Sequence, residues 1–208
     1  MLGRFGVLNR DGVAQISKVS LICNGVEDDV FLARNADAPI EQHVHRILEL
    51  ATTLRMPGDT ATRRLYNSVV TAPKTAIIKN LVFYKTHLGT GDIISIVSAL
   101  PSLVSLRCVI DAPEPWIQEI PKDEQPHTLR TKYYPLSHNF RYLGLSYTAG
   151  SSAETLAFNA ATFSLLCPRF VYVDIPPKLR NSFSREVSWA MVTSFKPYAD
   201  CLNKLLYK

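Results

Sequence analysis

A short apolar pattern recurs along this 208-residue chain, and its spacing limits the folds that the chain can adopt. Residues 78–83 carry apolar side chains at their first, fourth and sixth positions, and residues 103–108 repeat that arrangement. Between them, residues 92–100 place apolar side chains on one face of a helix. The stretch from 78 to 110 therefore predicts a strand, a helix and a second strand.

The same strand pattern appears before and after this central stretch. Its middle apolar residue recurs at Val19, Leu54 (the weakest candidate), Leu81, Leu106, Leu143 and Phe170. The intervals between these positions run from 25 to 37 residues. One strand-plus-helix unit cannot bury its apolar face alone, so units that recur at such intervals are typical of a solenoid, in which neighbours stack.

The segment LPSLVSLRCVI, residues 100–110, resembles the strand of a leucine-rich repeat. Long, irregular units with a helix on the outer side resemble the ribonuclease-inhibitor-like type found in F-box-associated repeat proteins. The resemblance covers residues 75–177 and extends more weakly over residues 13–74. It departs from the family where Asp111 stands in place of the usual Asn, and no F-box helices are recognisable in the N-terminal residues.

The resemblance implies an α/β fold, a short leucine-rich-repeat-like solenoid forming a single domain over residues 1–208. Irregular repeats would occupy residues 13–177, and residues 178–208 would form a C-terminal helical cap. The alternative is a doubly wound α/β sheet, in which apolar strands alternate with amphipathic helices at similar intervals. Both architectures share parallel strands.

Five prolines fall within residues 111–135, at positions 113, 115, 121, 126 and 135. Proline removes a backbone donor and disrupts the interior of a helix. We therefore predict a long, irregular loop over residues 111–135, carrying Trp116, Tyr133 and Tyr134.

Composition narrows the class of protein. The net charge is +5, but no run of Lys and Arg exceeds two residues, so nucleic acid is not expected as a partner. No apolar stretch of about 18 residues is present, which predicts no membrane span. The four cysteines form no CxxC pair. These features predict a reduced, intracellular protein, cytoplasmic or nuclear.

We expect function to lie on strand positions that alternate with the buried ones. Tyr and Arg combine a large contact area with hydrogen-bonding ends, and both are common where protein partners dock. The sequence therefore predicts a non-enzymatic interaction scaffold, although the same residues could form ordinary solvated strand surface. The predicted partner-binding residues are Lys18, Arg55, Tyr84, Arg107, Tyr142 and Arg169.

The turn Gly89-Thr90-Gly91-Asp92 offers an alternative function. It stands between a predicted strand and a predicted helix, where glycines allow close backbone approach and a helix N-terminus favours a phosphate. This reading gives a small α/β transferase that binds a phosphate or nucleotide. The turn matches neither GxGxxG nor GxxxxGK[ST], and a plain strand-to-helix turn explains the same residues. No metal ligands, cofactor or catalytic residues are predicted.

Overall fold

Eight strands and six helices lie in the residues that the computed structural model describes, which are 6–8, 14–16, 19–20, 40–56, 62–121, 124–146, 151–175, 178 and 181. The strands are β1 (Gly6–Leu8), β2 (Ala14–Ile16), β3 (Val19–Ser20), β4 (Thr53–Met56), β5 (Asn80–Leu88), β6 (Ser105–Ile110), β7 (Tyr142–Leu145) and β8 (Tyr172–Asp174). The helices are α1 (Ile40–Leu50), α2 (Thr62–Val70), α3 (Thr90–Ala99), α4 (Pro115–Gln118), α5 (Gln125–Tyr133) and α6 (Ala153–Leu166).

Strands β3 to β8 form one parallel sheet, and β1 pairs with β2 in an antiparallel hairpin. The order of strands across the parallel sheet is their order in the chain. A doubly wound sheet reverses its strand order at a switch point. No such reversal occurs from β3 to β8, so the described strands do not follow the doubly wound alternative.

The strand register aligns one apolar residue from each strand. The aligned residues are Val19, Leu54, Leu81, Leu106, Leu143 and Val173. The sequence prediction is confirmed for the first five, including the weak candidate Leu54. Phe170 was the wrong choice for the sixth, because Val173 is the residue that pairs with Leu143. Cys167, Phe170 and Val173 are apolar and three residues apart, so the same apolar spacing allows either Phe170 or Val173 as the centre of the strand.

Backbone hydrogen bonds repeat the same geometry just before the strands. The carbonyl of Thr52 accepts from the backbone N–H groups of Lys79 and Asn80. The carbonyl of Lys79 accepts in the same way from Val104 and Ser105. In both cases the acceptor is the residue directly before one strand, and the two donors are the residue directly before the next strand and the first residue of that strand. These paired bonds hold the neighbouring strands in register.

Among the described residues, the parallel sheet buries one face and leaves the other accessible in part, since Val109 of the second face is also buried. Leu54, Leu81, Leu106 and Leu143 are fully buried, whereas the residues that follow them in β4, β5 and β6 are half-buried or exposed. The buried strand residues belong to one apolar cluster with residues of helices α1, α2, α3, α5 and α6. Since strand side chains alternate between faces, the helices pack on a single face of the sheet.

Local sequence signals determine where the helix between the two central strands begins and ends. Helix α3 begins after Gly89 and ends before Pro101, which cannot continue a helix. Its buried stripe includes Ile93, Val97 and the flanking Ile94, as predicted. Consecutive helices pack side by side, α1 against α2, α2 against α3, and α5 against α6. Within α1–α3 and within α5–α6, the helices thus follow chain order like the strands.

The prediction of an irregular loop over residues 111–135 is wrong. Helix α4 begins at Pro115, and α5 carries Pro126 in its first turn. Proline is tolerated at these first positions, where the missing N–H has no intrahelical partner. The Gln125 side chain joins the two helices by donating to the carbonyls of Ile117 and Ile120, at 3.0 and 2.9 Å.

One prediction lies mainly outside the described residues. Of the predicted C-terminal cap, residues 178–208, only positions 178 and 181 are described.

Within the part of the chain that the structure covers, no helix has the length and apolar character that crossing a bilayer requires.

Two adjacent residues of β5 test the one-sided burial. We expect Leu81→Ala to lower the free energy of unfolding by about 2–5 kcal/mol, because it leaves a cavity among buried side chains. Val82→Ala, on the accessible face, should cost less than about 1 kcal/mol. Urea denaturation of both variants measures the difference. Equal losses would contradict a helical layer on one face only.

Candidate functional site: the open face of the parallel sheet

The accessible face of strands β4 to β8 carries a row of aligned residues, which we call the open face. In register across the five strands, the row reads Arg55, Val82, Arg107, Gly144 and Asp174. A second row, two residues earlier on each strand, contains Thr53, Asn80, Ser105 and Tyr142. Parallel sheets usually have both faces covered, so an accessible face that mixes basic and aromatic residues is an unusual surface.

An ion pair bridges three strands of the open face. The Arg107 guanidinium on β6 donates a hydrogen bond to the Asp174 carboxylate on β8, reaching across β7. The β7 residue between them is Gly144. A Cβ at Gly144 would lie 3.1 Å from the Asp174 Cβ and 3.2 Å from the Arg107 Cγ. The absence of a side chain at this position therefore makes the cross-strand pair possible.

A shallow groove borders this pair. It is lined by Ser105, Arg107, Tyr142, Gly144 and Asp174, together with Leu143. The groove exists because Gly144 leaves a low point in the row between two long side chains. A partner side chain placed here would meet a guanidinium, a carboxylate and the accessible Tyr142 ring, of which 38% is exposed.

Arg55 lies at the other end of the row, on β4. It is half-buried, and its Nε is enclosed without a hydrogen-bond partner. No carboxylate among the described residues pairs with it.

Strand β5 bulges beside the row. Val82 pairs with Arg107, but the next pairing joins His87 to Val109, so four residues of β5 face Cys108 alone. The extra length contains Tyr84, which is 41% exposed, and Lys85, whose φ is 54°. Bulges re-aim side chains at functional sites. Tyr84 is thus an exposed residue of the bulged stretch, two residues after Val82 of the row.

The structure brings together four of the six predicted partner-binding residues. Arg55, Tyr84, Arg107 and Tyr142 all belong to β4–β7. Lys18 lies outside the described residues. Arg169 is exposed but precedes β8, and Asp174 takes the aligned position instead. This correction follows from the register slip at Phe170. Asp174 would have been found if Val173 had been taken as the central apolar residue, because the aligned residue lies one position after it.

The Gly89–Asp92 turn is engaged within the chain. The Glu114 carboxylate accepts from the Gly91 N–H through both oxygens, at 2.7 and 2.8 Å, and from the Asp92 N–H at 3.3 Å. A Cβ at Gly89 would lie 2.4 Å from Glu114 Oε1. Thr90 is fully buried. A phosphate from solution would therefore have to displace Glu114, which already supplies the negative charge that this helix end favours.

The two described cysteines are buried, and their thiols are free. Burial, with the nearby charges of Asp111 and Asp92, raises the pKa of the Cys108 thiol far above its usual value. Burial likewise raises the pKa of Cys167 to about 12, although a backbone hydrogen bond at Ser137 opposes this. Both thiols are therefore protonated at neutral pH and are weak nucleophiles. No group of three metal-ligating side chains occurs among the residues described.

A second accessible surface lies on helices α4 and α5. Trp116 and Tyr133 form an aromatic pair with ring centroids 6.5 Å apart. The Lys132 ammonium lies 5.2 Å from the Trp116 centroid and 5.1 Å from that of Tyr133. A cation of the chain therefore already lies over both rings of this patch.

Comparisons of this chain with protein-family models, with curated proteins and with solved structures found no match. The geometry of the open face is therefore the basis for any assignment of function.

Gly144 tests the three-strand bridge. In the wild type, we expect Gly144→Ala to lower the free energy of unfolding by about 1–3 kcal/mol, because the new methyl group crowds Arg107 and Asp174. In an Arg107→Ala/Asp174→Gly background, which removes both the Arg107 Cγ and the Asp174 Cβ, the same change should stabilise the protein by about 0.5–1 kcal/mol, since glycine is a poor strand residue. Chemical denaturation of the four variants gives both values. The same sign in both backgrounds would contradict the bridge.

Glu114 tests the turn. We expect Glu114→Ala to lower the free energy of unfolding by about 0.5–2 kcal/mol, the range for losing a helix N-cap. Added inorganic phosphate should raise the melting temperature of this variant and leave the wild type unchanged, because only the variant has free donors. Phosphate stabilisation of the wild type that Gly91→Ala abolishes would instead favour the transferase alternative.

Proposed function

We propose that this protein is a non-enzymatic interaction scaffold that binds a protein partner on the open face of its parallel sheet. The single observation that carries the proposal is the clustering of Arg55, Tyr84, Arg107 and Tyr142 on that face. Three of these residues come from the aligned rows of β4, β6 and β7, and the fourth comes from the bulge of β5. Arginine and tyrosine dominate the binding energy of many protein interfaces.

A one-sided parallel sheet suits this role. The helices fix the strands from behind, so the open face needs little reordering when a partner docks. We further propose that the strand-helix units form a short leucine-rich-repeat-like solenoid. The sequential strand order, the aligned apolar residues and the helix-on-helix packing in chain order support this architecture.

The transferase alternative receives no support from the turn geometry, because Glu114 takes the donors that a phosphate would need. The open face remains the stronger candidate.

Site-specific photocrosslinking tests the proposed function. A photoreactive amino acid replaces Val82 on the open face, and a matched variant carries it at Ser98, which is exposed on helix α3. In cells that produce the protein, we expect a discrete crosslinked protein from position 82 and not from position 98. Tyr84→Ala/Arg107→Ala should remove that product, whereas Gly91→Ala should not. Crosslinks of equal yield from both positions, or none from position 82, would overturn the proposal.

A further inference from the structure

Strands β4 to β8 carry more basic than acidic side chains. Strands β4 to β8 contain Arg55, Lys85 and Arg107, and the one acidic residue among these strands is Asp174, in the last of them. The two rows of the open face contain Arg55 and Arg107 and no acidic residue on β4, β5 and β6, and the acidic residue of the row, Asp174, lies at its far end. Asp111, which directly follows β6, is paired with His87 of β5.

We propose that the open face binds an acidic segment of a protein, with carboxylates of the partner received by Arg55 and Arg107. This inference rests on the proposed function and names the chemistry of its partner. It depends on charge complementarity between the row and the partner, and on the donors that the two guanidinium groups still offer.

The two arginines differ in what they have available. Arg55 forms no ion pair with any described residue, and because its Nε is enclosed, a carboxylate would meet its Nη groups. Arg107 bonds to Asp174 through one Nη, and a guanidinium has five N–H donors in all. Arginine binds carboxylates in a two-pronged geometry, so each site can receive one carboxylate.

The spacing allows one segment to reach both sites. Neighbouring strands lie about 4.8 Å apart, so the backbones of Arg55 and Arg107, two strands apart, are separated by roughly 10 Å. Val82 lies between them and offers apolar contact, and Tyr84 and Tyr142 flank the row. The partner segment would thus have acidic residues on either side of an apolar one.

Asp174 favours a peptide over a nucleic acid. Its carboxylate lies in the same row and would repel a phosphate backbone that continued along the face. Tight nucleic-acid binding also needs many phosphate contacts from Lys and Arg, whereas this row presents two arginines. A protein segment can place carboxylates over β4–β6 and a neutral or basic residue over Asp174.

Peptide selection tests the proposal without assuming a sequence. Random 16-residue peptides displayed on phage are selected against the folded full-length chain, and the recovered peptides are synthesised and measured by fluorescence anisotropy. We expect recovered binders to be enriched in Asp and Glu. Arg55→Gln/Arg107→Gln should weaken them at least about tenfold, the loss expected when hydrogen-bonded charge pairs are removed. Replacing their acidic residues by Asn and Gln should weaken them similarly.

A matched variant controls for net charge. Arg46→Gln/Lys74→Gln removes the same two charges from exposed positions outside the sheet and should change affinity less than about twofold. Circular dichroism melts establish that both double variants are folded. If the control weakens binding as much as the open-face variant, general electrostatic attraction explains the result and the proposal fails.

Other outcomes separate this inference from the proposed function. Neutral or basic binders that still depend on Tyr84 and Arg107 would overturn the acidic partner and leave an interaction surface in place. Tighter binding of a 16-nucleotide oligothymidine through Arg55 and Arg107 would replace the peptide with a nucleic acid. Failure to recover any binder that depends on the open face would count against both proposals.

Discussion

The alignment of one apolar residue per strand is the constraint on which the rest of the structure depends. Leu54, Leu81, Leu106 and Leu143 are fully buried, and Val173 continues their line at the last strand. Their burial against the helices sets the register, because shifting a strand by one residue would turn its apolar side chains toward solvent. The register in turn aligns the residues of the opposite face. The row of side chains on the open face is thus a consequence of packing on the buried face.

Gly144 connects packing on the buried face of the sheet with the ion pair on the open face. Its neighbours Leu143 and Leu145 are buried, so the strand is held in place by packing. On the open face its missing side chain lets Arg107 reach Asp174 across a whole strand. Because Asp174 pairs with Arg107, Arg55 is the cation of the row that has no ion pair with a described residue. A similar pairing within the chain occurs at the Gly91 turn, where the Glu114 carboxylate accepts from the Gly91 N–H group. One site is closed by the chain, and the other remains accessible.

Much of this fold could be predicted from spacing alone. The strand centres at Leu81, Leu106 and Leu143 and the buried stripe of helix α3 follow directly from apolar periodicity. The errors have local physical causes. Apolar residues at intervals of three let the last strand slip from Val173 to Phe170, which misplaced Arg169 in the site. Prolines were read as excluding helices, although Pro115 and Pro126 occupy the first turns, where proline fits.

The sequence by itself determined which residues are apolar, how far apart they recur, and hence that strands and helices alternate in an α/β chain. It also named four residues of the open face, because alternation in a strand separates buried from accessible positions. Only the tertiary structure decided that the strands follow chain order, that Glu114 closes the Gly91 turn, and that Arg107 meets Asp174 over Gly144. Those contacts join residues 23 and 67 positions apart, and such pairings depend on how whole units stack, which no local pattern encodes.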